Sequence, residues 1–302
     1  MNAKNKTVVI IAGPTAVGKT AMAIAVAQHF NTEIISADSR QCYRELNIGV
    51  ARPSEEELAL VPHHFIATHS IHQKVTAAVF EMYALKKAAH LFQLNDVVVM
   101  VGGTGLYIKA FEEGLDAIPE IPDDIREKIS QQYAEHGLAW LQGEVEKLDP
   151  LFYAKGEIKN PHRLLRALEV FKATGQSIVT YKSGAKKHRP FNIIKLALHL
   201  PKDELHQNIN QRVDHMISAG LEEEARLLLP HRHLTALQTV GYKELFSYFD
   251  GEITHAEAVE TIKRNTRQYA KRQLTWFRKD PSFTWFTPFE QKEVLDCITS
   301  ML

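Results

Sequence analysis

The stretch VVIIAGPTAVGKT, residues 8–20, decides the fold of this chain. With its flanks, the β-branched run over 7–12 (TVVIIA) predicts a buried parallel strand that ends at Gly13. Gly13, four residues, then Gly18-Lys19-Thr20 completes a phosphate-loop pattern. Its glycines let backbone N–H groups converge on an anion, and the helix that follows adds its positive end. Lys19 supplies charge, and Thr20 a hydroxyl suited to Mg²⁺. An Ala-rich helix is predicted to open at Lys19 or Thr20, so the loop sits between strand and helix, a context that a chance glycine turn with a surface lysine lacks. Whose phosphate is held, and is it transferred or discarded?

Working outward, TEIISADS (32–39) reads as a second strand and DVVVMVGG (96–103) as a third. The helical spacing of VTAAVFEMYALKKAAHLFQ (75–93) supplies the crossover between them. Strand, helix and strand of this kind predict an α/β fold, a P-loop NTPase-like parallel sheet with helices on both faces. From residue 114 the texture changes. LDAIPEIPDD (115–124) is a proline-broken linker in which Asp123 or Asp124 could cap the next helix. Residues 124–175 read as helical, with breaks at Gly137, Pro150 and KGEIKNP (155–161). FNIIKLALHLP (191–201) restores a strand, and 203–302 is mostly helical. The expected organisation is a core over 1–113, a helical insertion over 114–190 and the rest of the core over 191–302, without repeats.

Composition narrows the function classes. The 302 residues are 45% hydrophobic and 24% charged, ordinary for a soluble globular protein. Formal net charge is zero, so any nucleic-acid contact must come from local clustering. Cys42 and Cys297 are too few and too far apart for a disulfide framework or a zinc site, and read as reduced thiols. The apolar run after MNAKNK is too short for a signal peptide, and nothing reaches a membrane-spanning length. A cytoplasmic protein with no membrane partner is expected. The neighbours His63 and His64 lack a third metal ligand and read as structural.

Phosphate loops of NTPases and kinases usually have their Mg²⁺ supported by an acid that ends another strand. Here the third strand ends in Gly102-Gly103-Thr104-Gly105, and the acid, Asp38, ends the second. Parallel strands end on one sheet edge, where ligands collect, so Asp38 should face the mouth of the loop. It could orient a metal, take a proton from a nucleophile, or merely cap a helix.

GPTAVGKT (13–20), DSRQCYRELNIGVARP (38–53), VGGTGLY (101–107), QRVDHMISAGLEEE (211–224), QTVGYKE (238–244) and TRQYAKRQLTWFR (266–278) occur in this order. Together they resemble the bacterial tRNA dimethylallyltransferase family, also called tRNA isopentenyltransferases, from residue 8 to about 279. The resemblance implies transfer of a dimethylallyl group from its pyrophosphate to the exocyclic amine of the adenosine immediately 3′ of a tRNA anticodon. The loop's phosphate would then be a leaving pyrophosphate, discarded once the carbon has moved. Gly13, Pro14, Thr15, Ala16, Val17, Gly18, Lys19 and Thr20 would hold that donor pyrophosphate, or a nucleotide, with Mg²⁺ on Thr20. Arg212 matches the family arginine on the pyrophosphate, Asp38 its proposed general base, and Thr104 a position near the reacting groups and the RNA. Lys19 completes that catalytic set. A carboxylate is a weak base for an amine, so the first duty of Asp38 would be positioning.

The resemblance also assigns RNA contacts. They fall on Asp38, Ser39, Arg40 and Gln41; on Thr104 and Arg126; and on His162, Arg163, Leu164, Leu165 and Arg166. The turn-like Gln238, Thr239, Val240, Gly241, Tyr242 and Lys243 are included, as are Lys271, Arg272, Gln273, Leu274, Thr275, Trp276, Phe277 and Arg278. Charge clustering points the same way without the family. Residues 159–189 hold eight Lys or Arg and one acid, and 261–280 hold seven and one. Tyr269, Trp276 and Phe277 interleave the second cluster and would suit stacking, although helical spacing favours Trp276 and Phe277 as a packing face. The implied partners are a tRNA anticodon stem-loop, gripped from one side by the insertion, and dimethylallyl pyrophosphate, met by a monomer. The target adenine would have to leave its stack to reach Asp38.

One segment departs from the family. Leu46-Asn47-Ile48-Gly49-Val50-Ala51-Arg52-Pro53 stands where Leu-Asp-Ile-Gly-Thr-Ala-Lys-Pro is common, so the acid and hydroxyl are gone while the cation stays. Three other classes stay on the table: a small-molecule P-loop kinase, a prenyltransferase of free AMP or ADP, and a non-enzymatic RNA-binding protein. The long insertion and the basic C-terminal helices speak against a free nucleotide, which needs no such grip.

Overall fold

The strand predicted from the opening stretch forms as β1 (Thr7–Ala12), and its two neighbours are distant in sequence. Thr7 pairs with Val97 of β4 (Val97–Gly102) on one side and with Asn192 of β5 (Asn192–Leu198) on the other. The computed structural model describes residues 6–302. Among these the sheet has six strands, all parallel, in the order β3-β2-β4-β1-β5-β6, where β2 is Ile34–Ser36, β3 His63–His64 and β6 Thr284–Phe286. The two edge strands were not expected. They are two and three residues long and carry no periodicity of their own.

Alternation along the strands sends their side chains into two separate apolar layers. Val8, Ile10, Val98 and Met100 pack with Phe80 and Tyr107, whereas Val9, Ile11, Val99 and Val101 pack with Met22 and Val26. Both faces are therefore buried, which explains why these strands read as continuous apolar runs. The helix after the loop, α1 (Lys19–His29), begins at Lys19 as predicted. After α2 (Glu55–Leu60), the crossover helix α3 (Ala77–Leu91) starts behind Thr76, whose side chain accepts the Val79 N–H. α4 (Gly105–Glu113) follows β4 directly.

The chain divides into two compact units, one made of residues up to Glu112 with His188–Leu302 and the other of Glu113–Lys187. The second unit is helical, with α5 (Asp123–Leu148), α6 (Pro150–Lys155) and α7 (Pro161–Thr174). Gly137 (φ 74°, ψ −169°) interrupts α5, and Asp149 and Asn160 cap the next two helices. The expected aspartate cap of α5 is absent. Pro122 holds the cap position, while Asp123 and Asp124 lie in the first turn, where they face the positive end of the helix. Ile129, Leu141, Phe152, Leu164 and Leu168 form this unit's own core.

The first unit continues with α8 (Lys202–Ser218), α9 (Leu221–Leu228), α10 (Tyr242–Phe249), α11 (His255–Phe277) and α12 (Gln291–Met301). The histidines read as structural make β3. His63 Nδ1 sits 2.8 Å from the Val61 carbonyl, and His64 pairs with Glu33. No described helix is long and apolar enough to cross a membrane.

Candidate active site

The loop between β1 and α1 owes its shape to glycine and to neighbours. Gly13 has φ +144°, and a Cβ there would meet the Leu198 carbonyl at 2.7 Å, so no other residue fits. Ala16 is left-handed at φ 63°, with Asn208 of α8 donating to its carbonyl at 3.4 Å. Pro14 has no N–H and the Thr15 N–H donates to Gln273 Oε1 at 2.9 Å, which leaves the N–H groups from Ala16 to Thr20 for an anion. The expectation that the whole loop donates is corrected by those two residues.

Two cations serve the loop. Lys19 Nζ donates to the Pro14 carbonyl at 2.6 Å, and Arg212 of α8 reaches Thr15 Oγ1 at 3.4 Å. Burial, reinforced by the charge of Arg212 and opposed by that of Asp38, brings the Lys19 ammonium down to a pKa of about 7. Burial likewise lowers Arg212, with Glu57 opposing it. Beside them opens a cavity of about 510 Å³ lined by Ala16, Val17, Gly18, Asn208, Arg212, His215, Pro288 and Phe289, among others. Low dielectric around two cations and a row of N–H donors is a strong sink for a polyanion.

Asp38 stands where β2 ends, as the sequence places it. Its Oδ1 accepts the N–H of Arg40 at 2.8 Å and of Gln41 at 3.2 Å, so one oxygen holds a turn and the other is left for chemistry. The capping reading therefore holds for one oxygen, in a turn and not at a helix start, while the other oxygen makes no hydrogen bond among the described residues. Across the same sheet edge, Thr104 at the end of β4 accepts the Ser39 N–H at 3.1 Å and donates its own N–H to the Ala37 carbonyl at 3.2 Å. The Tyr269 phenol lies beside the Thr104 side chain, and burial with the nearby Asp38 charge pushes it up to about 12. Asp38, Thr104 and Tyr269 thus form one cluster.

Several residues assigned to RNA turn out to be spent inside the protein. Gln273 is only 6% exposed, and its amide joins the Thr15 N–H to the Gly103 carbonyl at 3.0 Å. Gln41 donates to the carbonyls of Val50 and Ala51 at 3.3 and 2.9 Å while its Oε1 accepts the Ser36 hydroxyl. Phe277, Leu164 and Tyr242 are fully buried, Gly241 is buried, and Leu274 and Val240 pack half-buried against the cores. Arg126 and Arg166 lie near Glu169 at 3.8 and 3.5 Å.

Tyr242 serves a different purpose. Its hydroxyl donates to Glu224 Oε1 at 2.6 Å, and the same carboxylate accepts the N–H groups of Asn47, Ile48 and Gly49 at 3.1, 2.9 and 3.0 Å. Arg52 donates through Nη2 to the carbonyls of Tyr43, Arg44 and Leu46. The segment that departs from the family is thereby clamped by its own arginine and by a glutamate from α9. The later motifs LEEE and QTVGYKE thus hold the stretch that carries Asp38.

Other expected RNA residues do reach the surface. His162, Arg163, Gln238, Lys243, Lys271, Arg272, Thr275, Trp276 and Arg278 are exposed, while Ser39, Arg40, Leu165 and Thr239 are half-buried. Trp276 is 40% exposed with its indole against Gly105, so it does not share the packing face of Phe277. No role for Glu224 is legible from residue type and spacing, which offer Tyr269 only as a stacking ring. The one local signal was spacing, since Tyr269 and Gln273 are four apart and share a helix face.

The family model for IPP transferase matches residues 41–280. A tRNA dimethylallyltransferase of Christiangramia forsetii is 49% identical over 293 residues, 97% of each chain. One from Cytophaga hutchinsonii is 45% identical over 298 residues, 99% of this chain and 98% of the other. The crystal structure of the full-length tRNA isopentenylpyrophosphate transferase of Bacillus halodurans superposes with a TM-score of 0.72 at 36% identity, covering 98% of this chain and 96% of that one. On the strength of these matches along nearly its whole length, the chain belongs to the IPP transferase family, that of the tRNA dimethylallyltransferases.

Proposed function

We propose that the chain transfers a dimethylallyl group from dimethylallyl pyrophosphate to the exocyclic amine of the adenosine 3′-adjacent to a tRNA anticodon, with release of pyrophosphate. One observation carries the assignment of roles. A diphosphate sink of Lys19, Arg212 and the Ala16–Thr20 N–H groups opens at the same sheet edge as the free oxygen of Asp38. The C–O bond of the donor breaks with its electron pair leaving on pyrophosphate, and the amine lone pair closes on the carbon. Charge grows on the leaving group, so the sink stabilises the transition state more than the bound donor. Asp38 orients the amine and accepts its proton once the C–N bond has formed. Thr104 holds the Asp38–Ser39 turn at the Ser39 N–H and meets Tyr269 beside it.

Mg²⁺ fits this site as a companion of the donor. No group of three His, Cys, Asp or Glu among the described residues could hold a metal alone, so Thr20 would give one oxygen and the diphosphate and water the rest. When bound, the ion would add counter-charge to the leaving group. The exposed Lys271, Arg272 and Arg278, with His162 and Arg163 on the insertion, would meet the RNA phosphates, and Trp276 offers a ring for stacking. Incubation with labelled dimethylallyl pyrophosphate and unmodified tRNA should place label in the RNA at that adenosine. Label that stays in the donor, together with ADP formed from ATP, would establish a kinase instead.

A further inference from the structure

Gln273 stands between the two halves of the chemistry. Its Oε1 accepts the Thr15 N–H at 2.9 Å and its Nε2 donates to the Gly103 carbonyl at 3.0 Å. The two bonds fix which end of the amide is which, because only oxygen can accept the first and only the NH₂ can donate the second. On one side lies the loop that takes the leaving diphosphate. On the other, Gly103 is followed at once by Thr104, whose hydroxyl holds the turn of Asp38. A Cβ on Gly103 would lie 2.1 Å from Gln273 Nε2, so the glycine is there to admit the amide. The side chain is 6% exposed, and both of its polar atoms are spent on backbone.

We propose that Gln273 is a positioning residue that sets the gap between the donor loop and the Asp38–Thr104 wall, and thereby decides whether the prenyl carbon is captured by the amine or by water. Transfer between two bound substrates depends steeply on that gap, since an error of about 1 Å can lower a rate by about a hundredfold. The consequence is chemically distinct from simple slowing. An allylic carbon that loses pyrophosphate before the amine is in reach bonds to a water oxygen, the water gives up a proton, and dimethylallyl alcohol is the product. A correctly spaced site suppresses that branch.

The inference rests on the transferase reading, and the test separates the two. The probes are dimethylallyl pyrophosphate and an unmodified anticodon stem-loop, with labelled RNA and labelled alcohol counted together. Gln273→Met keeps the volume and removes both bonds. It should lower kcat for transfer by at least about tenfold, leave donor affinity within about threefold, and raise the alcohol share of total turnover. Gly103→Ala, which keeps residue 273 a glutamine but pushes its amide aside, should give the same rise. If wild type makes no prenylated RNA, the transferase reading fails. If wild type transfers and both variants keep its alcohol share, or lose rate only as much as they lose donor affinity, the positioning role is overturned.

Discussion

The Tyr242 hydroxyl lies 2.6 Å from Glu224 Oε1, and this bond closes a nest in which one carboxylate also accepts the backbone N–H groups of Asn47, Ile48 and Gly49. Burial, then the Glu224 charge, drives the phenol far above its usual range, so it stays a donor at every working pH. Tyr242→Phe removes one bond and should cost about 1 kcal/mol. Glu224→Ala strands three N–H groups and the phenol together and should cost about 3 kcal/mol or more. Thermal unfolding checks the order. Equal melting temperatures for the two variants would sink the clamp.

Asp38→Asn should separate the two duties of that side chain. The amide oxygen still accepts the Arg40 and Gln41 N–H groups, so the turn survives, but no carboxylate faces the amine. Donor affinity should hold while transfer falls about a hundredfold or more. Asp38→Ala should lose both turn and rate. Wild-type turnover of the asparagine variant, measured by prenylated RNA, would remove Asp38 from the mechanism.

Lys19 predicts a pH effect with a definite sign. Its pKa of about 7 lies below the ordinary 10.5, chiefly through burial and then Arg212. Between those values the unfolded chain binds more protons than the folded one, so its contribution to stability rises with pH across that window and is least favourable below 7. A bound diphosphate reverses the local field and restores the proton. Donor binding at pH 8 should therefore take up a proton, seen as a calorimetric enthalpy that changes with buffer, and affinity should weaken as pH rises. Lys19→Met should lose both the uptake and the pH-dependent stability.

The surface cations of α11 and of its C-cap residue Arg278 should act through phosphate and not through base identity. Lys271→Gln and Arg278→Gln should each weaken RNA binding evenly across stem-loop sequences and reduce the salt slope by roughly one. Filter binding at several salt concentrations measures this. The buried Gln273 should leave the slope unchanged, because it carries no charge and does not reach the surface.

Much of this architecture was legible because its signals are local. Gly13 to Thr20 needs only its own glycines and the strand before it, and the β-branched runs of β1 and β4 announce burial on both faces. The edge strands were hidden because two or three residues cannot show a period. Within the later motifs, residue type could not separate contact with RNA from contact with protein. Gln273, Gln41 and Tyr242 are polar residues in basic or turn-like surroundings, and only the approach of groups from elsewhere in the chain reveals that their polar atoms are already spent. Asp38, whose partners lie two and three residues away, could be placed correctly from the chain alone.

The pairing of Thr7 with both Val97 and Asn192 has a bearing on how the protein is made. The strand that carries the phosphate loop leaves the ribosome early, yet its second neighbour follows only after the whole helical excursion has been synthesised. Arg212 and the amide of Gln273 come later still. A nascent chain halted before Arg212 would hold a P-loop sequence without the second cation that serves it, so donor affinity should switch on late and abruptly during translation. Unfinished copies would thus be unable to sequester the prenyl donor.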